Sequence, residues 1–273
     1  MLTRGFAATE QTKTMRKYSK TVGALAAAST LVAGNAMAEL EGEVHVGYTN
    51  MYEFRFVDLG NDLVDAGVDL AYDMGPFGLS AGAWYGSWDT PGVPGNVGFN
   101  SDELDLYAAA SYAIGGLSLE LGYIYYYFPD VPTGGVSNTQ EVYLGASYEL
   151  PFGLAFGSTF YYDFDQFSGW YWDNNIGYTI EFNECLALEL GAGVAFADGH
   201  GLQARSAARG GSGTKDGFQG WYLTAALPWE FREGVTLTPY VKYTDGESDL
   251  ATDLYGTGGQ DYLVAGVSLA VGF

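Results

Sequence analysis

The stretch Asp261-Tyr-Leu-Val-Ala-Gly-Val-Ser-Leu-Ala-Val-Gly-Phe273 decides how the rest of the chain is read. Taking every second residue from the terminus, Phe273, Val271, Leu269, Val267, Ala265 and Leu263 are apolar. The residues between them, Gly272, Ala270, Ser268, Gly266, Val264 and Tyr262, are small or amphipathic. Period two is the period of a β-strand, here with one greasy face and one slim face.

The same alternation recurs upstream. A first strand over 42–56 puts Val44, Val46, Tyr48, Tyr52 and Phe54 on one face, against Glu43, His45, Thr49, Glu53 and Arg55. A second, over about 63–74, sets Val64, Val68, Leu70 and Tyr72 against Asp65, Asp69 and Asp73. Further strands are predicted over 77–88, 102–114, 117–127, 140–150, 154–163, 171–182, 186–197, 218–230, 235–244 and the terminal stretch. That makes twelve, each long enough to cross a bilayer when tilted. Tight turns such as Gly75-Pro76, Gly115-Gly116 and Pro151-Phe-Gly153 follow the even strands. Longer, Gly- and Pro-containing loops follow the odd ones, the longest over 198–216. Even strand number, short turns on one side and long loops on the other describe an antiparallel transmembrane β-barrel with periplasmic termini. Closure matters because an open sheet edge in hydrocarbon leaves backbone groups unpaired. A soluble sandwich needs no outward Leu and Tyr on every strand.

Composition agrees. The chain has 40 Gly, 22 Tyr, 16 Phe and 6 Trp among 273 residues, with only 16% charged. Aromatics suit the two interfaces, and they cluster at strand ends: Tyr72, Phe77, Tyr112 and Phe152 beside the turns, Tyr52, Tyr85, Tyr127 and Tyr162 nearer the loops. Residues 1–38 read as a leader, with Arg16, Lys17 and Lys20 before an apolar run and Ala36-Met-Ala38 as the cleavage pattern; Met15 is an alternative start. The mature chain, a single barrel domain over 39–273, is then strongly acidic. Five of the 11 Lys and Arg and one of the 33 acids leave with the leader, so six cations face 32 acids. That balance disfavours a nucleic-acid partner, since phosphate binding needs basic groups. Cys185, alone, forms no internal disulfide.

Several segments resemble a known family. Gly47-Tyr-Thr-Asn-Met-Tyr-Glu-Phe-Arg-Phe56, Gly82-Ala-Trp84, Glu103-Leu-Asp-Leu-Tyr107, Gly122-Tyr-Ile-Tyr-Tyr-Tyr-Phe-Pro129 and Glu141-Val-Tyr-Leu-Gly-Ala-Ser-Tyr148 look like the TorF-type porins. The match covers the first half of the mature chain and departs where Phe56 stands in place of the family's Gly. The aromatic end at Phe273 resembles the signal that barrel-assembly machinery reads in outer-membrane barrels. The resemblance implies an outer-membrane porin of a Gram-negative bacterium, surrounded by outer-membrane lipid and lipopolysaccharide, without naming a solute.

The inward face collects charge at Glu43, Glu53, Asp65, Asp69, Asp105, Glu120, Glu141, Glu149 and Glu189, with Arg55 and Lys242 as its cations. Acidic lumens favour cations, so the expectation is a channel for small cationic or neutral hydrophilic solutes. The competing reading is a filled barrel acting through its loops, because twelve strands make a narrow tube. Arg55 is expected to pair with the neighbours of Glu53 across the lumen, since an unpaired buried guanidinium is costly. An enzyme is disfavoured: His45 and His200 are the mature histidines, and neither stands in a nucleophile motif. No catalytic, cofactor or metal set is assigned. Asp245, Glu247, Asp249 and Asp253 could offer oxygens to calcium or magnesium, but the spacing is not that of a calcium loop and a solvated acidic loop is favoured. Arg205, Arg209 and Lys215 share the long loop, as a gate, a lipid-phosphate contact or plain loop charge. Nothing marks a subunit interface, and a monomer is the default.

Overall fold

A computed structural model describes residues 40–90, 99–129, 138–252 and 260–273. The leader, its cleavage after Ala38 and Asp253 lie outside the described residues. The strand segments are β1 (Leu40–Phe54), β2 (Val57–Met74), β3 (Phe77–Thr90), β4 (Phe99–Ile114), β5 (Leu117–Tyr127), β6 (Thr139–Glu149), β7 (Leu154–Asp163), β8 (Gly169–Asn183), β9 (Leu186–Asp198), β10 (Gly217–Ala226), β11 (Trp229–Arg232), β12 (Val235–Gly246) and β13 (Asp261–Gly272). Pairing is antiparallel throughout, and β1 closes the ring against β13, from Glu43 opposite Gly272 to Thr49 opposite Gly266. β10 and β11 both pair with β9 and β12, so they are halves of one stave in a twelve-stave barrel.

The break in that stave corrects the continuous strand expected over 218–230. Pro228 has no N–H to give to a ladder. Its carbonyl still accepts Ala187 N at 3.2 Å, and Leu227 N bonds the Pro239 carbonyl at 3.0 Å, which holds the two halves in line.

Alternation builds the outer wall. Leu121, Leu144 and Leu263 are 62, 58 and 61% exposed, and Val46, Val64 and Leu79 join them on other staves. So broad an apolar exterior suits hydrocarbon. At the tight-turn rim the chain reverses through Gly75 (φ 82°) and Gly115 (φ 62°), a left-handed conformation that costs glycine little. Phe152 adopts it too (φ 73°) and stands 93% exposed at that rim.

The slim inner face has a packing reason. Gly82, Gly122, Gly193 and Gly266 are register partners of Tyr107, Tyr143, Tyr222 and Tyr240 on the neighbouring strands. A Cβ on any of these glycines would overlap the tyrosine ring beside it. Each ring therefore lies over the glycine of the neighbouring strand.

The long-loop end departs from this pattern. Strand two was expected to begin near 63, after a loop; β2 begins at Val57, and β1 and β2 form one long hairpin turning at Arg55-Phe56. Both turn residues are left-handed (φ 51° and 70°), the geometry of a two-residue hairpin usually given to Asn and Gly. The register slips between Tyr52 and Glu53 on one strand, and near Asn61 against β3 on the other. These irregularities bend the tip inward, so Tyr52 and Phe54, expected to face outward, turn inside. Tyr52 is buried, with its hydroxyl on Glu103 Oε2 at 2.8 Å and its ring edge-on to Trp88.

Candidate functional site: the closed mouth of the lumen

The inward hairpin carries Arg55 across the barrel to the staves opposite β1. Its Nη1 and Nη2 donate to the two carboxylate oxygens of Glu141 on β6, at 2.6 and 2.7 Å. The guanidinium lies 4.7 Å from the Tyr161 ring centre, 4.6 Å from that of Tyr171 and 4.8 Å from that of Phe54. A planar, forked cation suits this double task of pairing and stacking. Tyr126 donates to Glu141 Oε2 at 3.0 Å, and His200 Nε2 lies 3.2 Å from Oε1. Arg55, Glu141 and His200 are all nearly inaccessible. The partner of Arg55 is thus Glu141; the acid beside it in sequence, Glu53, instead takes Lys242 at 2.5 Å, with the ammonium 5.1 Å from the Tyr222 ring centre.

The strained tip is pinned on every side. Phe56 N donates to Glu53 Oε1 at 2.6 Å, Gln203 Nε2 donates to the Arg55 carbonyl at 3.2 Å, and Asp58 N bonds the Thr252 carbonyl at 2.9 Å. Phe56 packs with Leu250 and the inward tyrosines in one apolar cluster. Gln203 and Leu250 come from two long loops joined at Arg205 and Leu250 and through Ser206 N on the Asp249 carbonyl. Loop 198–216 is therefore a folded cap, and Asp216 secures it by accepting from Gly199 N and Thr214. Asp163, at the end of β7, accepts from Thr139 and from three backbone N–H groups of the following turn. Burial holds the His200 imidazole below its ordinary range, against the pull of Glu141.

Below this closure lies a second tier of tyrosine and carboxylate. Tyr107 donates to Asp69 at 2.5 Å, Tyr143 to Glu120 at 2.8 Å, and Tyr222 to Asp173 at 3.0 Å. Burial falls along each stave toward the tight turns: on β6, Glu141 and Tyr143 are buried, Ser147 is half-buried and Glu149 is exposed. Of the other inward acids, Glu43 is half-buried on β1, Asp65 is buried under Trp84 Nε1 at 3.3 Å, and Glu189 is buried on β9. Asp105 holds a buried Oδ1 with no hydrogen-bond partner among the described residues.

Two groups among the described residues could hold a metal ion: Glu43, His45 and Asp69, and Glu141, Asp163 and His200. In the second, both Glu141 oxygens already serve Arg55, so an added cation would meet a guanidinium. His200, Gln203, Tyr126, Tyr161 and Tyr171 belong to the closure and have no signal of their own in the sequence. His200 sits in a Gly-rich loop with no local pattern, and the tyrosines differ from outward ones only by parity.

Known proteins match this architecture more than this sequence. No curated protein matches the chain. An outer membrane channel from Pseudomonas putida F1 superposes with a TM-score of 0.54 at 11% identity, over 88% of this chain and 97% of that one. The KdgM porin gives 0.49 at 13% identity, over 85% and 99%, and the NanC porin 0.48 at 11%, over 84% and 98%. The similarity is one of barrel fold, that of porin-like outer-membrane proteins. In sequence, residues 34–249 match the model of a family described as a bacterial protein of unknown function, and the chain belongs to that family, Gcw_chp.

Proposed function

We propose that this protein is an outer-membrane channel of porin type whose resting state is closed by its own β1–β2 hairpin. In the open state it passes small cationic or neutral hydrophilic solutes. The observation that carries the reading is Arg55 spanning the lumen to a bidentate pair with Glu141, above a tier lined by Asp69, Glu120 and Asp173. A buried ion pair is a poor source of stability but a good latch, because its attraction is offset by the cost of desolvation. Releasing it exposes an acidic passage, and such a passage favours cations. The leader cleaved after Ala38, assembly through the strand ending at Phe273, surrounding lipopolysaccharide and a monomeric state belong to the same proposal.

A filled, non-conducting barrel acting through its loops is the second reading, favoured by the same closure. Planar-bilayer recording of the purified protein under a salt gradient separates the two. Discrete steps with a reversal potential on the cation side are expected. Anion preference would sink the selectivity claim, and a silent bilayer containing correctly folded protein would favour the filled barrel.

A further inference from the structure

We infer that the open half of the lumen carries a binding site for a divalent transition-metal ion of the zinc class, built from Glu43, His45 and Asp69. Glu43 on β1 and Asp69 on β2 are direct register partners, and His45 is two residues along β1 on the same inward face. One ligand atom from each lies within 4.8 Å of the others. Around a single ion, donors about 2.1 Å from the metal stand roughly 3.4 Å apart, so small side-chain rotations complete the set.

Independent observations point the same way. His45 Nδ1 is buried with no hydrogen bond of good geometry among the described residues, and it faces Asp69 Oδ2 at ion-pair distance, 3.5 Å. The other oxygen of Asp69 accepts from Tyr107, which fixes the carboxylate with Oδ2 toward the imidazole. On the far side of the ring, His45 Nε2 lies 3.8 Å from Asp65 Oδ1, and Asp65 is itself held by Trp84. A ligating imidazole whose other N–H faces a carboxylate is the usual outer-shell support of a histidine–metal bond. Gly67, opposite His45, leaves space for the ring to lie against β2, where any Cβ would overlap it. One imidazole with two carboxylates suits zinc, copper, nickel or iron better than calcium or magnesium, which take oxygen alone.

The site stands on the wall below the hairpin, with the His45 side chain 15% exposed. Binding does not require the barrel to conduct. Isothermal titration of the detergent-purified protein with zinc chloride tests it directly, and a silent bilayer would leave that result intact. Zinc is expected to bind with affinity reduced on the order of 10-fold or more in His45→Ala and in Asp69→Asn, while excess magnesium chloride does not displace it. Copper(II) electron paramagnetic resonance is expected to show one imidazole nitrogen, lost in His45→Ala. Heat-modifiable gel migration shows whether each variant folds, and His45→Gln serves if the alanine form does not. Zinc bound equally well by the variants, displaced by magnesium, or lost with His200→Ala instead of His45→Ala would overturn the site. So would no zinc binding at all, which would leave His45 as a bridge between Asp65 and Asp69.

Discussion

The two halves of this lumen are built from the same staves and behave differently. Toward the long loops, inward Tyr126, Tyr161 and Tyr171 are buried under a hairpin whose Arg55 meets Glu141. Toward the tight turns, the same strands present Ser147, Gly157 and Asn175, with Glu149 at an exposed rim. The wall itself changes from tyrosine to small and polar residues along each of these strands, but that is only part of the difference. The rest lies in one hairpin that folds in rather than out, and in two loops that seat it.

The largest effect is expected from removing the guanidinium. Arg55→Ala leaves Glu141 buried without its partner, a loss on the order of 3–5 kcal/mol, read as a lower urea midpoint for unfolding. Arg55→Ala combined with Glu141→Ala is expected to recover much of that loss, because neither charge is then stranded. A double variant no better than the single one would mean that Arg55 acts through its stacking on Tyr161 and Tyr171 alone.

Next is the seam between the halves. Gly122→Val places a side chain where the Tyr143 ring lies, an overpacking cost of roughly 1–3 kcal/mol. The displaced ring is also expected to release Glu120 and shift the reversal potential. Full stability in this variant would show that the glycine and tyrosine staves do not interlock.

What the chain disclosed beforehand followed the same division. The outer wall was legible because lipid favours an apolar residue at most second positions of each strand, with breaks such as Ser158 and Asn174. The folded-in hairpin was not. Tyr52 and Phe54 keep the outward parity in sequence, but the tip of the hairpin lies inside the barrel, where Tyr52 and its opposite-parity neighbour Glu53 are both buried. Phe56 in place of glycine marked the turn as unusual without saying where it went. Arg55 and Lys242 were conspicuous as cations amid acids. Their partners, Glu141 and Glu53, depend on three-dimensional crossing and have no signature in spacing. His200 is 145 residues from Arg55 along the chain.

A smaller effect concerns acid. His200 faces Arg55 from the hairpin, Glu141 from β6 and Asp163 near the end of β7, with the Phe167 ring stacked on it. Burial lowers its pKa in the closed state, whereas a lifted loop would return it to about 6.5. The closed state therefore has its full advantage above about pH 6.5 and loses it as pH falls below that value. Open probability is expected to rise between pH 7.5 and 5, and His200→Gln to flatten the dependence. A rise unchanged in that variant would assign the response to other groups.

The smallest effect is expected at the exposed rim. Glu149→Gln should leave stability within about 0.5 kcal/mol and move the reversal potential less than Glu120→Gln does. Equal shifts would mean that selectivity is set at the rim rather than by the tier under the hairpin.

Single-channel conductance of Arg55→Ala beside the unaltered protein, both shown to be folded, tests the latch most directly. Rare openings are expected for the native chain, and long-lived, cation-selective openings for the variant. A folded Arg55→Ala barrel that stays silent, or conducts no differently from the native one, would contradict the latch.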